Sequence, residues 1–170
     1  MKKVLFLTFC LFWASTAVLA QNSKINILGT FGDWTAYTFA DTDGKVCYIA
    51  SMPEKSVGKY KIRDDVFLIV MHRLGDKSFD VVNTMAGYTY KKGSKPTLQV
   101  DKSKAVTLIP HADTAWAKDS STDKKLVNQM KKGSKAVLKG TSKRGTLTTD
   151  TFSLKGFSKA YAEIDKACGR

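Results

Sequence analysis

The order of the first twenty residues constrains this chain more than any other feature. Lys2 and Lys3 precede an apolar run from Val4 to Trp13, broken only by Thr8, and Val18-Leu19-Ala20 then sets small side chains where signal peptidase reads. A positive start, an apolar middle and a small-residue end mark a secretory leader. The run falls short of the ~20 residues needed to cross a bilayer, and polar Gln21-Asn22-Ser23 follows at once, which argues against a membrane anchor. Cleavage is expected after Ala20. Cys10 lacks the small residues before it that a lipoprotein site requires. Residues 21–170 are then expected to fold outside the cytoplasm, in the periplasm or at the outer-membrane or cell surface, as a single domain without a transmembrane span. No Pro/Ser-rich linker divides them.

Export also decides how the cysteines are read. Residues 21–170 keep only Cys47 and Cys168, and in an oxidising compartment an even count implies a disulfide. Metal-binding or redox-active thiols fit poorly, because there is no Cys-x-x-Cys and no neighbouring His to complete a site.

The pattern of the remaining chain is mainly β. Phe31 to Ala40 and Lys45 to Met52 flank Asp41-Thr42-Asp43-Gly44 and predict a hairpin, with Gly44 at the position that needs positive φ. Glu54 to Asp65 is polar and reads as an exposed loop. Val66 to Met71 is a continuous apolar run of the kind found in a buried central strand. After a turn at Leu74–Lys77, further strands are expected at Ser78–Asn83, Gly87–Lys91, Thr97–Asp101, Ala105–Ile109, Lys135–Gly140 and Thr146–Leu154. Lys124–Lys131 is helix-compatible. At the end of the chain, Leu154, Phe157, Tyr161, Ile164 and Cys168 recur at three- and four-residue steps and define one face of a helix, with Ser153 as N-cap and Gly169 just past the end. That face would carry Cys168 toward the sheet and Cys47. Short strands, glycine turns and one terminal helix together predict an antiparallel β-sandwich with a docked C-terminal helix. An eight-stranded outer-membrane barrel is the rival, and it lacks its regular ten-residue alternating segments here.

Charge is unevenly placed. Loss of Lys2 and Lys3 reduces the formal net charge from +13 to +11. Gln21 to Asn83 holds eight basic and eight acidic residues, whereas Thr84 to Arg170 holds eighteen and seven, so all the excess lies in the second half. Lys91, Lys92, Lys95, Lys131, Lys132, Lys135, Lys143 and Arg144 form the candidate face for an anionic partner, such as a glycan, lipopolysaccharide or acidic lipid. A simply solvated surface is the alternative. The pentapeptide Lys-Lys-Gly-Ser-Lys occurs at 91–95 and 131–135 and reads as two basic turns. Nucleic acid is not expected as a partner, since no RNA-binding motif or stacking ladder accompanies the lysines.

No motif for catalysis stands out: there is no Gly-x-Ser-x-Gly, His-Glu-x-x-His, Walker loop or dinucleotide fingerprint. His72 reads as a strand-end histidine and His111 as a solvated one. The chain is expected to be no enzyme and to use no cofactor or metal.

Several blocks resemble the invasion-associated locus B family of exported Gram-negative proteins. They are Phe31-Gly32-Asp33-Trp34, Val46-Cys47-Tyr48-Ile49, Lys139 to Thr146, Asp150-Thr151-Phe152-Ser153-Leu154-Lys155-Gly156-Phe157 and Asp165-Lys166-Ala167-Cys168. The resemblance implies an immunoglobulin-like sandwich. It also implies a virulence role in host-cell entry, into erythrocytes in blood-borne members, and it brings no catalytic residues. The expected function is therefore an exported protein aiding invasion by binding, with a periplasmic envelope-maintenance or chaperone-like binding protein as the alternative.

Overall fold

The computed structural model describes residues 24–170; the expected leader at 1–20, Cys10 within it, lies outside the described residues. In chain order the elements are β1 (Asn26–Phe31), β2 (Trp34–Asp41), β3 (Gly44–Ser51), β4 (Lys55–Gly58), β5 (Phe67–Arg73), β6 (Ser78–Met85), β7 (Thr97–Val100), β8 (Val106–Thr107), β9 (Ile109–His111), β10 (Thr114–Trp116), α1 (Ser120–Met130), β11 (Lys135–Thr141), β12 (Leu147–Ser153) and α2 (Phe157–Ala167). Among the described residues these strands form two antiparallel sheets, one of seven strands in the order β1-β2-β3-β5-β6-β10-β9 and one of five in the order β4-β12-β11-β7-β8. The mainly β sandwich with a docked C-terminal helix is the fold the sequence pattern predicts.

The β2–β3 hairpin closes with Asp41 opposite Gly44, and Gly44 takes φ 134°, a value glycine tolerates best. The Val66–Met71 run supplies the middle strand of the larger sheet, as expected, but not one buried on both faces. Leu68, Val70 and His72 point into the core, while Phe67, Ile69 and Met71 are half-buried on the outer face.

Other expectations need correction. Within Glu54–Asp65, Lys55–Gly58 is an edge strand paired to β12. It escaped notice because a fully exposed polar edge leaves no alternation to read. Gly87–Lys91 is not a strand and contributes a single bridge, Tyr90 to Ser142. The chain must turn at Gly87, with φ 65°, and a side chain there would meet the Asp64 carbonyl. The helix near 124–131 begins earlier, at Ser120, because Asp119 caps it by accepting from the Thr122 amide at 2.8 Å. Conversely, α2 starts at Phe157 rather than Leu154. Ser153 still belongs to β12, and the residue before the helix is Gly156 at φ 91° without a side-chain cap.

One buried cluster joins both sheets and both helices, with Trp34, Phe152 and Phe157 among its largest members. Helix α2 presents Phe157, Ala160, Tyr161 and Ile164 to it, packing on β1, β2, β3 and β5.

Candidate functional site

The eight cations singled out by sequence divide between two ends of the five-stranded sheet. At one end, Tyr90 bridges Ser142, the Lys91 amide donates to the Thr141 carbonyl at 2.9 Å, and the Lys143 amide donates to the Thr89 carbonyl at 2.7 Å. That ladder sets the 91–95 loop beside the β11–β12 turn. Lys91, Lys92, Lys95, Lys143 and Arg144 therefore gather there, all exposed, and among the described residues none has a carboxylate within ion-pairing distance.

Lys131, Lys132 and Lys135 lie at the far end of β11, whose seven residues span roughly 20 Å. Two of these three are already engaged. The Lys131 ammonium sits 3.6 Å from the centre of the Tyr161 ring, and Lys135 pairs with Glu54 at 2.7 Å. Lys132 joins Lys124 and Lys125, which were not singled out, along an open cleft of about 680 Å³ between α1 and the β7–β8 turn. Asp101 shares that cleft and accepts from the Ser134 and Lys135 amides, so its field partly offsets the lysines.

A second assembly lies inside the fold. Cys47 on β3 is bonded to Cys168 just past α2, with Cα atoms 6.1 Å apart, as the cysteine count requires. Beside it, His72 is opposite Cys47 in the β3–β5 register. Its Nδ1 accepts from the Asp80 amide at 3.1 Å, so Nε2–H donates to Asp165 on α2 at 3.0 Å. The Asp80 carboxylate takes the Tyr161 hydroxyl and the Arg170 guanidinium, the latter at 2.8 Å. Burial works to raise the Asp80 carboxyl, but Tyr161 and Arg170 outweigh it and hold the group below its ordinary range.

Burial acts in the opposite sense on His72. It lowers the ring's pKa against the raising pull of Asp165 and Asp80, so the folded protein holds a neutral imidazole. The unfolded chain, with a histidine near 6.5, takes up its proton first as pH falls. This contribution to stability is complete above about pH 6.5 and is lost as pH falls through the depressed folded-state value. His72→Gln is expected to flatten the slope of unfolding free energy between about pH 7 and pH 5. Urea titrations at stepped pH read it directly, and identical slopes in the two proteins would refute it.

A third assembly ties the Glu54–Asp65 segment down. Arg63 reaches Asp150 on β12 with two parallel bonds of 2.8 Å, and its Nε donates to the Ala86 carbonyl at 2.6 Å. The Tyr88 ring lies under the guanidinium at 4.8 Å. Sequence reading missed both Arg63–Asp150 and Arg170–Asp80. The available signal was arginine standing in a chain that otherwise uses lysine, because only the planar fork serves a bidentate buried carboxylate.

Among the described residues no helix is long and apolar enough to cross a membrane, and no three His, Cys, Asp or Glu side chains are grouped to hold a metal ion.

The family model described as Invasion associated locus B (IalB) protein matches residues 34–165. The chain belongs to the IalB family. No curated protein and no solved structure gave a match. The structure explains why two of the blocks that carry the IalB resemblance accompany one another. Phe31-Gly32-Asp33-Trp34 lies directly on Ser153-Leu154-Lys155-Gly156-Phe157. The Asp33 amide donates to the Lys155 carbonyl at 3.1 Å, and the Trp34 indole donates to the Ser153 carbonyl at 3.0 Å. Trp34 meets the Phe157 ring edge-on at 4.9 Å. A Cβ on Gly156 would fall 1.7 Å from the Phe31 carbonyl oxygen, so only glycine permits the approach. These motif residues are packing residues.

Proposed function

We propose that this IalB-family protein is exported and aids entry into host cells, erythrocytes among them, by attaching without catalysis to anionic groups on the cell surface. Its contact surface is the end of the five-stranded sheet bearing Lys91, Lys92, Lys95, Lys143 and Arg144. The observation that supports this reading is the gathering by one β-bridge of five exposed cations from two separate loops, none of them ion-paired among the described residues. Exposed lysines scattered for solubility need no such convergence. Mostly lysine rather than arginine suits diffuse capture of phosphate, sulfate or sialate over geometric recognition of one of them.

Replacing Lys91, Lys92, Lys143 and Arg144 together by glutamine tests it. Near an anionic surface each cation is worth about 1 kcal/mol. Attachment to erythrocytes, to heparin and to acidic-lipid vesicles is therefore expected to fall on the order of 100-fold or more, and the steep salt dependence of the wild type is expected to flatten. Neutralising Lys124, Lys125 and Lys132 at the other end serves as the control. Attachment that survives the first replacement and fails in the second would move the contact surface to the α1 cleft and overturn the assignment.

A further inference from the structure

The outer face of the seven-stranded sheet is rich in aromatic and aliphatic side chains where polar ones are usual. An antiparallel sheet with one side in water normally alternates apolar inside and polar outside. The five-stranded sheet comes closer to this: Thr97, Gln99, Lys139, Thr149 and Thr151 occupy outward positions, interrupted by the aliphatic Val57, Val137 and Leu147 and by no aromatic residue. On the larger sheet the outward positions hold Tyr37, Phe39, Tyr48, Ile69, Met71 and Trp116, all half-buried by one another and by the sheet. Tyr37 stacks on Tyr48 with ring centres 4.8 Å apart, and Phe39, Tyr48, Ile69, Met71 and Trp116 line a shallow groove of about 260 Å³. At the two edges of the sheet, Ile27 is 68% exposed and Ile109 55%. Neither helix covers this face, since α2 packs against Trp34, Ala36 and Cys47 on the inner side.

We infer that the outer face of the seven-stranded sheet is the interface of a homodimer, pairing face to face with a second copy of this chain. Three observations favour that occupant. The first is area. Strands about 4.8 Å apart, each about 3.4 Å per residue, make a face of roughly 500–600 Å², and two such faces together exceed the ~1,000 Å² that a specific association needs. The second is charge. A chain of net +11 after leader removal repels its own copies over most of its surface, yet the groove's charged residues are Asp41 and Arg73, and Arg73 also faces Asp76 at 3.4 Å. With one charge of each sign in the groove, a second copy meets no net positive charge there. The third is composition: tyrosine, tryptophan, methionine and arginine are enriched, and lysine and glutamate are absent from the groove, as in the centres of protein interfaces. Asn83, 2% exposed, lies on this face between Ile69 and Trp116 in the register, and its Nδ2 has no acceptor among the described residues.

Sedimentation equilibrium of the chain recovered after export, from about 1 to 100 μM at physiological salt, tests the proposal. The expected result is a concentration-dependent dimer. Ile69→Glu, a charge at the centre of the face, is expected to weaken it roughly 100-fold. Met71→Lys provides a second variant, and a thermal transition confirms that each is folded. Wild-type monomers throughout that range would overturn the inference, leaving the face to a foreign partner or to residues before Lys24. A dimer undisturbed in both folded variants would overturn it equally. The Lys91, Lys92, Lys143 and Arg144 replacement is expected to keep the dimer, so failure of the attachment surface and failure of the dimer are read separately.

Discussion

Replacing Cys47 and Cys168 together by alanine is expected to lower the unfolding free energy by roughly 2–5 kcal/mol. The bond closes a loop with a sequence separation of 121, and for a loop of that length the chain-entropy model gives about 4–5 kcal/mol. Alanine is the appropriate replacement, because Cys47 is 0% and Cys168 4% exposed and a serine hydroxyl would be buried without need. For a domain near 150 residues each kcal/mol moves the melting temperature by about 2–4 °C, so a fall on the order of 10–15 °C is expected. Reductant should reproduce it in the wild type and do nothing further to the double variant. A change below about 1 kcal/mol would show that the α2 packing and the His72–Asp165 contact hold the helix without covalent help.

Asp150→Asn is expected to cost a comparable amount, about 3–5 kcal/mol, by leaving a buried guanidinium without its counter-charge. Asp150 is fully buried and the Arg63 side chain is 5% exposed, so solvent cannot take over the lost bonds. The pair itself contributes far less than its loss costs, since bringing two ions out of water consumes most of their attraction. Replacing both together, Arg63→Met with Asp150→Leu, should therefore recover most of the stability. Urea unfolding of the two singles and the double provides the cycle. A double variant as unstable as Asp150→Asn would mean that Arg63 acts chiefly through the Ala86 carbonyl and the Tyr88 ring.

How much of this was legible in the sequence depends on the range of each interaction. The disulfide was readable because residues 21–170 hold two cysteines and so allow one pairing. The β2–β3 hairpin was readable because its turn chemistry is local, and the buried face of α2 because a stripe at three- and four-residue steps has one interpretation. Short edge strands were not: β9 contains Pro110 and three residues in all, and β4 is exposed throughout. The start of α2 was misplaced because a backbone approach between Gly156 and Phe31 decides it, and no periodicity records that. The basic surface was half legible. Counting found the lysines, but Lys131 and Lys135 were grouped with the rest by proximity in sequence, whereas the ladder places them across the sheet and gives them partners of their own. Arg63 and Asp150 are 87 positions apart, beyond any local signal.

The contact between the Gly32 turn and the Lys155–Gly156 turn has a consequence for biogenesis. The opening strands of this sandwich complete their packing only against α2, and Cys47 on β3 bonds to Cys168 just past that helix. A polypeptide that emerges amino-terminus first therefore cannot finish its core while its tail is still in transit, because the partners of Trp34 arrive last. Such long-range closure delays folding. Here the delay leaves the opening strands without their α2 partners until that helix docks, so the core is expected to close in one late step.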